Sequence, residues 1–342
     1  MEINTLWRKT VGAAPSSPQS SERYPERNWA DDGLNSPIGR LTQILLEDPS
    51  LKGGYGTARL GSEWKRKMET LLGLPGDLRR QALVLASFQF SFLCYLDPRW
   101  ATAKIMPSMD DEGPDGDAFW DGFLWANKVP CPPLLRRMRP SIVRRISEGS
   151  HRKSTTGGMA DILLYAWIEW AGNRRPPITN AQFREAIVEG GAEFGVQVLS
   201  NFGRRLQRKP ISRKTVAAFL REVWPLQKSL KTEETSRALS NFAFRSGDLF
   251  PEVAGLIVTR LTSCGHFDSY ALQSEEAGGI VGQYPKELLE VLVRLLSEDV
   301  HQWPHYTGEI LDRLARDPRT GADVRLSRLR RLMGRPTVVP AV

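Results

Sequence analysis

Apolar residues recur every three to four positions from about Asn35 to Gly334, broken by short runs of Gly, Pro, Asn and Asp. That spacing is the signature of successive amphipathic helices with brief connections. The first opens at Asn35-Ser36-Pro37, a capping hydroxyl followed by a proline where a helix needs no N–H. It runs through Ile38, Leu41, Ile44 and Leu45 to a stop at Asp48-Pro49. A glycine-rich connector, Gly53-Gly54-Tyr55-Gly56, leads to a second helix from Ser62 to Leu72. After Pro75-Gly76-Asp77 comes the most apolar stretch of the chain, in which Leu78, Ala82, Leu85, Phe88, Phe92 and Leu96 repeat at helical spacing. The pattern predicts one long, centrally buried helix ending at Asp97-Pro98.

Beyond it the pattern predicts a short helix near Trp100 to Ile105, an acidic loop, and an aromatic helix carrying Phe119, Trp120, Phe123 and Trp125. Helices follow over Leu134 to Ile146, Met159 to Trp170, Asn180 to Val188, Phe194 to Leu206, Lys214 to Trp224, Glu233 to Phe244 and Glu252 to Leu261. Three more close the chain between Pro285 and Met333. Strand signals are nearly absent: Gly255 to Thr259 has β-branched content inside a helical pattern, and Ala277 to Gln283 reads as a loop. The expected fold is all-α, an irregular α-solenoid or stacked helical hairpins, HEAT-like at the C-terminal end (286–332), although no repeat period emerges. The expected organisation is a lead and flexible linker over 1–33, a helical array over 34–334 in one or two lobes with a boundary near 150–158 or 172–178, and a tail over 335–342.

Composition adds little to this, whereas charge layout adds much. The chain has 342 residues, a formal charge of +8 and three cysteines. Cys94, Cys131 and Cys264 are far apart and odd in number, which suits a reduced cytoplasmic interior better than a disulfide framework. The N-terminus has no apolar core for a signal peptide, and no apolar run reaches membrane-spanning length. Between Cys131 and Lys153 stand seven Arg/Lys against Glu148 alone, and Asn201 to Lys214 holds six cations and no acid. Asp110 to Asp121 reverses the sign, with six acids and no base. Such blocks steer partners. Arg136, Arg137, Arg144, Arg145, Arg204, Arg205 and Arg208 are the candidate contacts, to an acidic protein surface or to phosphate.

No pattern supplies catalysis. Asp110 to Asp117 invites a calcium reading, but Pro114 and Gly116 break the alternation of oxygens and Asp121 stands where a Glu is needed. His301 and His305 have a ligand-like spacing with Pro304 between them and no HExxH context. Cys264-Gly265-His266 places a thiol beside an imidazole in the text only, and reads as a turn. Neither GxGxxG, GxxxxGK[ST] nor GxSxG occurs. No cofactor or metal is expected. Trp120, Trp125, Trp167 and Trp170 could stack on bases, though aromatics at helical spacing serve cores.

The opening Asn28-Trp29-Ala30-Asp31-Asp32-Gly33-Leu34-Asn35-Ser36-Pro37-Ile38-Gly39-Arg40-Leu41, running into Leu45-Leu46-Glu47-Asp48-Pro49, resembles the start of an uncharacterised helical domain of bacterial proteins. That domain is often joined to a sirtuin-type NAD-hydrolysing domain in antiphage defence. Leu96-Asp97-Pro98-Arg99-Trp100 and Phe119-Trp120-Asp121-Gly122-Phe123 share the likeness, which extends over 28–334. The resemblance implies a recognition or assembly region whose enzyme lies elsewhere. This chain lacks the glycine-rich NAD-binding segment and the Asn/Asp/His constellation of a sirtuin, so NAD hydrolysis is assigned to none of its residues. The expected role is a non-catalytic interaction, sensor or scaffold module with a protein partner; the alternative is a nucleic-acid-binding protein using 131–153 and 201–214.

Overall fold

A computed structural model describes residues 27–52, 59–149, 153–209, 211–272 and 279–334. Among them are 18 α-helices, several 3₁₀ turns, one π turn and no strand, so the chain is all-α. Two compact units form. The first runs to Arg145 and takes in residues 153–162; the second comprises residues 146–149 and 163 onward.

In the first unit the core helix is α4 (Gly76–Phe88), against which pack α1 (Trp29–Asn35), α2 (Pro37–Leu46), α3 (Ser62–Leu72) and α7 (Pro114–Trp125). Ser36 caps α2 as its sequence predicts, its hydroxyl accepting the Gly39 N–H at 2.9 Å, with Pro37 next. Residues Ala82 to Ser87 are all buried, so α4 has no solvent face along this stretch. Two neighbours approach its backbone at glycines. A Cβ on Gly122 of α7 would lie 1.9 Å from the Val84 carbonyl oxygen, and one on Gly33 of α1 would lie 2.5 Å from Val84 Cγ1. Only hydrogen at those positions lets α1 and α7 share one turn of α4.

The single long helix expected to Leu96 is corrected. The chain turns at Gln89 (φ −96°, ψ 10°), and α5 (Phe90–Leu96) continues in a new direction. Phe90 thereby enters a ring cluster, edge-on to Phe119 at 5.6 Å and Phe123 at 6.4 Å, while Phe92 turns outward and is 36% exposed. The periodic face holds up to Leu85 and then shifts, to Phe90 and Leu93. Packing against α7 outweighs the helical continuity that the local pattern favours.

Residues 27–33 are corrected too, from linker to core. Trp29 is 4% exposed and lies beneath the Arg27 guanidinium at 4.0 Å, and Asn28 caps α1. Arg27 bridges Asp32 (2.5 Å) and the buried Asp77 (2.7 Å), and Arg80 takes Asp77's other oxygen at 2.7 Å. Burial works against the charge on Arg27, but the two carboxylates outweigh it and raise its pKa. The expected lead over 1–26, the Gly53–Gly56 connector and the 335–342 tail lie outside the described residues.

α6 (Pro98–Lys104) completes this unit's first half. Asp97, expected as a stop, also caps α6: its carboxylate accepts the Trp100 N–H at 3.0 Å and pairs with Lys65 at 2.5 Å. Trp100 Nε1 donates to Glu69 at 2.8 Å.

In the second unit, α11 (Gly191–Arg208) packs on α13 (Glu233–Phe244), which meets α14 (Phe250–Ile257); α16 (Pro285–Leu295) lies against α14. Phe183, Phe202, Phe219 and Phe242 form its ring core, with Phe219 touching all three others at 5.0–6.5 Å. Residues 280–283, expected as loop, form a helical turn, α15 (Ile280–Gln283), that buries Ile280 and Val281.

Candidate interaction site

The first basic segment folds as α8 (Pro132–Ser147). Leu134, Leu135, Met138, Ile142 and Ile146 make its buried ladder, so the intervening Arg136, Arg137 and Arg144 face outward. The acidic stretch, expected as a solvated loop, keeps only residues 111–113 as loop, between a 3₁₀ turn (Met106–Asp110) and the first two turns of α7. Most of its carboxylates are engaged by the fold. Asp115 takes Arg79 at 2.5 Å and Arg80 at 2.8 Å, and Asp121 accepts the Trp29 N–H at 3.1 Å. Asp110 accepts from the Ser141 hydroxyl and from Arg144 Nη2 at 3.2 Å. Asp117 pairs with Arg145.

Two of the seven candidate arginines, Arg145 and Arg205, are engaged within the fold. Arg145 is half-buried on Asp117, because the acidic stretch that looked like an independent patch packs beneath α8. Arg205 on α11 is 9% exposed, its guanidinium carbon 3.9 Å above the Tyr165 ring and Nη2 3.4 Å from Glu169. A cation in that position is desolvated and partnered from within. Arg204 is exposed and donates to Asn201 on its own helix. Arg208, Lys209, Arg213 and Lys214 are exposed as well.

On the first unit, Arg137 and Arg144 border an open groove of about 700 Å³. Met106, Pro107, Met109 and Pro140 form its apolar wall, and Asp110 and Ser141 lie within it. Since Arg144 is bound to Asp110, Arg137 carries the outward cationic charge of the groove. The groove thus sets one outward guanidinium beside a methionine and proline wall. A phosphate backbone would meet the Asp110 charge in the same groove.

The Cys264 thiol is buried, and burial pushes it up to about 11; burial likewise pushes Cys94 up to about 12. Neither is a thiolate at neutral pH. His301 lies in a 3₁₀ turn (Val300–Gln302), and His305, past Pro304, packs on Tyr306. No group of three or more His, Cys, Asp and Glu is placed to hold a metal among the described residues. No helix among them is long and apolar enough to cross a membrane.

Sequence reasoning missed a second concavity, on the other unit. It measures about 530 Å³ and is lined by Trp167, Trp170, Asn180, Lys214 and Glu222, among others. Trp120 is core at 1% exposure, Trp125 packs on Phe88 at 4.5 Å yet stays 43% exposed, and Trp167 is 5% exposed against Phe183 and Phe219, so that of the cavity's two indoles it is the half-buried Trp170 that borders open space. Three-residue spacing at a helix end followed by Ala-Gly-Asn was the available signal; the polar neighbours of Trp170 come from 10 to 52 positions away and leave none. Comparison with protein families, with curated proteins and with solved structures finds no match to this chain.

Proposed function

We propose that this protein is a non-catalytic helical interaction module that docks an acidic segment of a protein partner in the Arg137 groove. The carrying observation is the composition of that groove: one outward guanidinium over a Met/Pro wall, with Arg144 already neutralised by Asp110. An acidic peptide with apolar side chains matches it in charge and polarity. The likeness of the 28–49 opening to helical domains of antiphage proteins supports a sensor or scaffold role in bacterial defence beside a separate effector.

The test is recovery of partners from the host with wild-type protein and with Arg136→Glu/Arg137→Glu. A partner captured by the wild type and lost in the variant, with unchanged melting temperature, is the expected result. Salt-dependent nucleic-acid binding lost in the same variant, with no protein partner, would defeat it. A nucleic-acid reading has its own observation, the exposed run Arg204, Arg208, Lys209, Arg213 and Lys214 on the second unit. There log K would fall against log salt with a slope near −0.9 per neutralised duplex phosphate.

A further inference from the structure

The cavity in the second unit is built rather than incidental. A capping box fixes the start of α10 (Asn180–Glu189): Thr179 N–H donates to Gln182 Oε1 at 3.0 Å and Thr179 Oγ1 accepts the Gln182 N–H at 3.3 Å. Asn180 is thereby held where its Oδ1 accepts Trp167 Nε1 at 2.7 Å and its Nδ2 donates to Glu222 Oε2. Glu222 reaches Asn180 from a π turn (Phe219–Val223) that continues α12 (Arg213–Ala218) and is closed by Trp224 N–H to Phe219 O at 2.8 Å. The wide turn buries Phe219, Leu220 and Val223 while leaving Glu222 exposed to the cavity. Such single π turns occur often at functional sites.

Three features are left over for a ligand. Glu222 Oε1 accepts no hydrogen bond from the described residues. Lys214, exposed at the cavity rim, has no ion-pair or hydrogen-bond partner among them. Trp170 is half-buried at the space, beside the buried Trp167 whose one N–H is already satisfied. Lys214 and Glu222 are eight residues apart on one helical segment, about two turns. The cavity thus has an acceptor, a cation and the Trp170 indole, and its volume suits a small organic ligand.

We propose that this cavity binds a nucleotide with an amino-bearing base. The base stacks on Trp170, its N–H edge donates to Glu222 Oε1, and its phosphate meets Lys214. The same chemistry is presented by a free nucleoside monophosphate and by one residue of a single strand. Neither depends on the Arg137 groove, which lies on the other unit, so failure of one reading leaves the other standing.

The test is calorimetric titration of the full chain with AMP, CMP, GMP and UMP, beside adenosine, inorganic phosphate, free tryptophan and a short single-stranded oligonucleotide. Expected is saturable binding of the three amino-bearing monophosphates, with UMP weaker. Lys214→Ala should reduce AMP to the affinity of adenosine. Glu222→Gln keeps an oxygen for Asn180 but offers an amide in place of Oε1, and should weaken AMP by about tenfold or more; Trp170→Ala should weaken all four. A strand that binds more tightly than AMP and competes with it identifies nucleic acid as the source; AMP binding without strand binding identifies the free nucleotide. The proposal is overturned if no monophosphate binds the folded protein, if tryptophan binds as well as AMP, or if binding is indifferent to Lys214→Ala and Glu222→Gln in variants of wild-type melting temperature.

Discussion

Gly122→Ala tests whether the first unit is organised by close approach of α7 to α4. The added Cβ would stand 1.9 Å from the Val84 carbonyl oxygen and 2.4 Å from Ser87 Oγ. Real Cβ contacts keep about 3.0 Å, so α7 must withdraw by roughly 1.1 Å. The obstacle is backbone in the middle of a helix and cannot swing aside. A gap of that size forfeits a quarter to a half of each dispersion contact across the interface, and the contacts at stake include Phe119, Trp120 and Phe123, none more than 2% exposed. The cost therefore falls at or above the top of the overpacking range, about 3 kcal/mol. For a unit of this size that is a fall of roughly 6–12 °C in melting temperature.

Thermal unfolding followed by circular dichroism, with a urea series to check that the m-value is unchanged, reads the effect. Gly61→Ala is the control, since nothing stands within 4 Å of the place its methyl would occupy and Gly61 only precedes α3; its change should stay under about 1 kcal/mol. A Gly122→Ala protein melting within a degree or two of wild type would show that α7 does not approach α4 this closely.

The turn at Gln89 predicts that Phe90→Ala costs about 3–5 kcal/mol while the neighbouring Phe92→Ala costs little; equal denaturation midpoints for the two variants would restore a continuous helix. Asp97 has its pKa lowered by the Lys65 ammonium and the Trp100 N–H, so its contribution is present above the unfolded value of about 3.9 and is lost as pH falls through the lower folded value. Asp97→Asn keeps a capping oxygen but not the charge; it should lose up to about 1 kcal/mol at pH 7 and flatten the acid limb of the stability profile, and an unaltered limb would contradict the pairing. Native protein should react with iodoacetamide quickly at the exposed Cys131 alone, and at Cys94 and Cys264 only after unfolding; rapid labelling of Cys264 by mass spectrometry would show that its burial is not as described.

Helices and their caps were legible because they rest on neighbours in sequence. Ser36-Pro37 and Asp97-Pro98 are local devices, and the structure uses them where the pattern places them. The turn at Gln89 was not legible, since Phe88, Phe90 and Phe92 are equally apolar and only the rings of α7 decide which one is buried. Residues 27–33 misled for the opposite reason. Their few apolar groups predict little burial, yet Trp29 is enclosed by Arg27 and by an N–H bond to Asp121, 92 positions away.

The charge blocks show the same limit most sharply, because a run of arginines states a surplus of charge and not which groups will meet it. The acidic block at 110–121 and the basic block at 131–153 each look like an offer to a partner. In space they meet at Asp110–Arg144, which stays exposed, and at Asp117–Arg145, which is largely buried. A desolvated pair of this kind adds little net stability over apolar residues, but losing one member leaves a costly unpaired charge. Charge reversal at Arg145 therefore tests folding rather than binding. At Arg137, where an apolar wall begins, charge reversal tests the proposed docking instead.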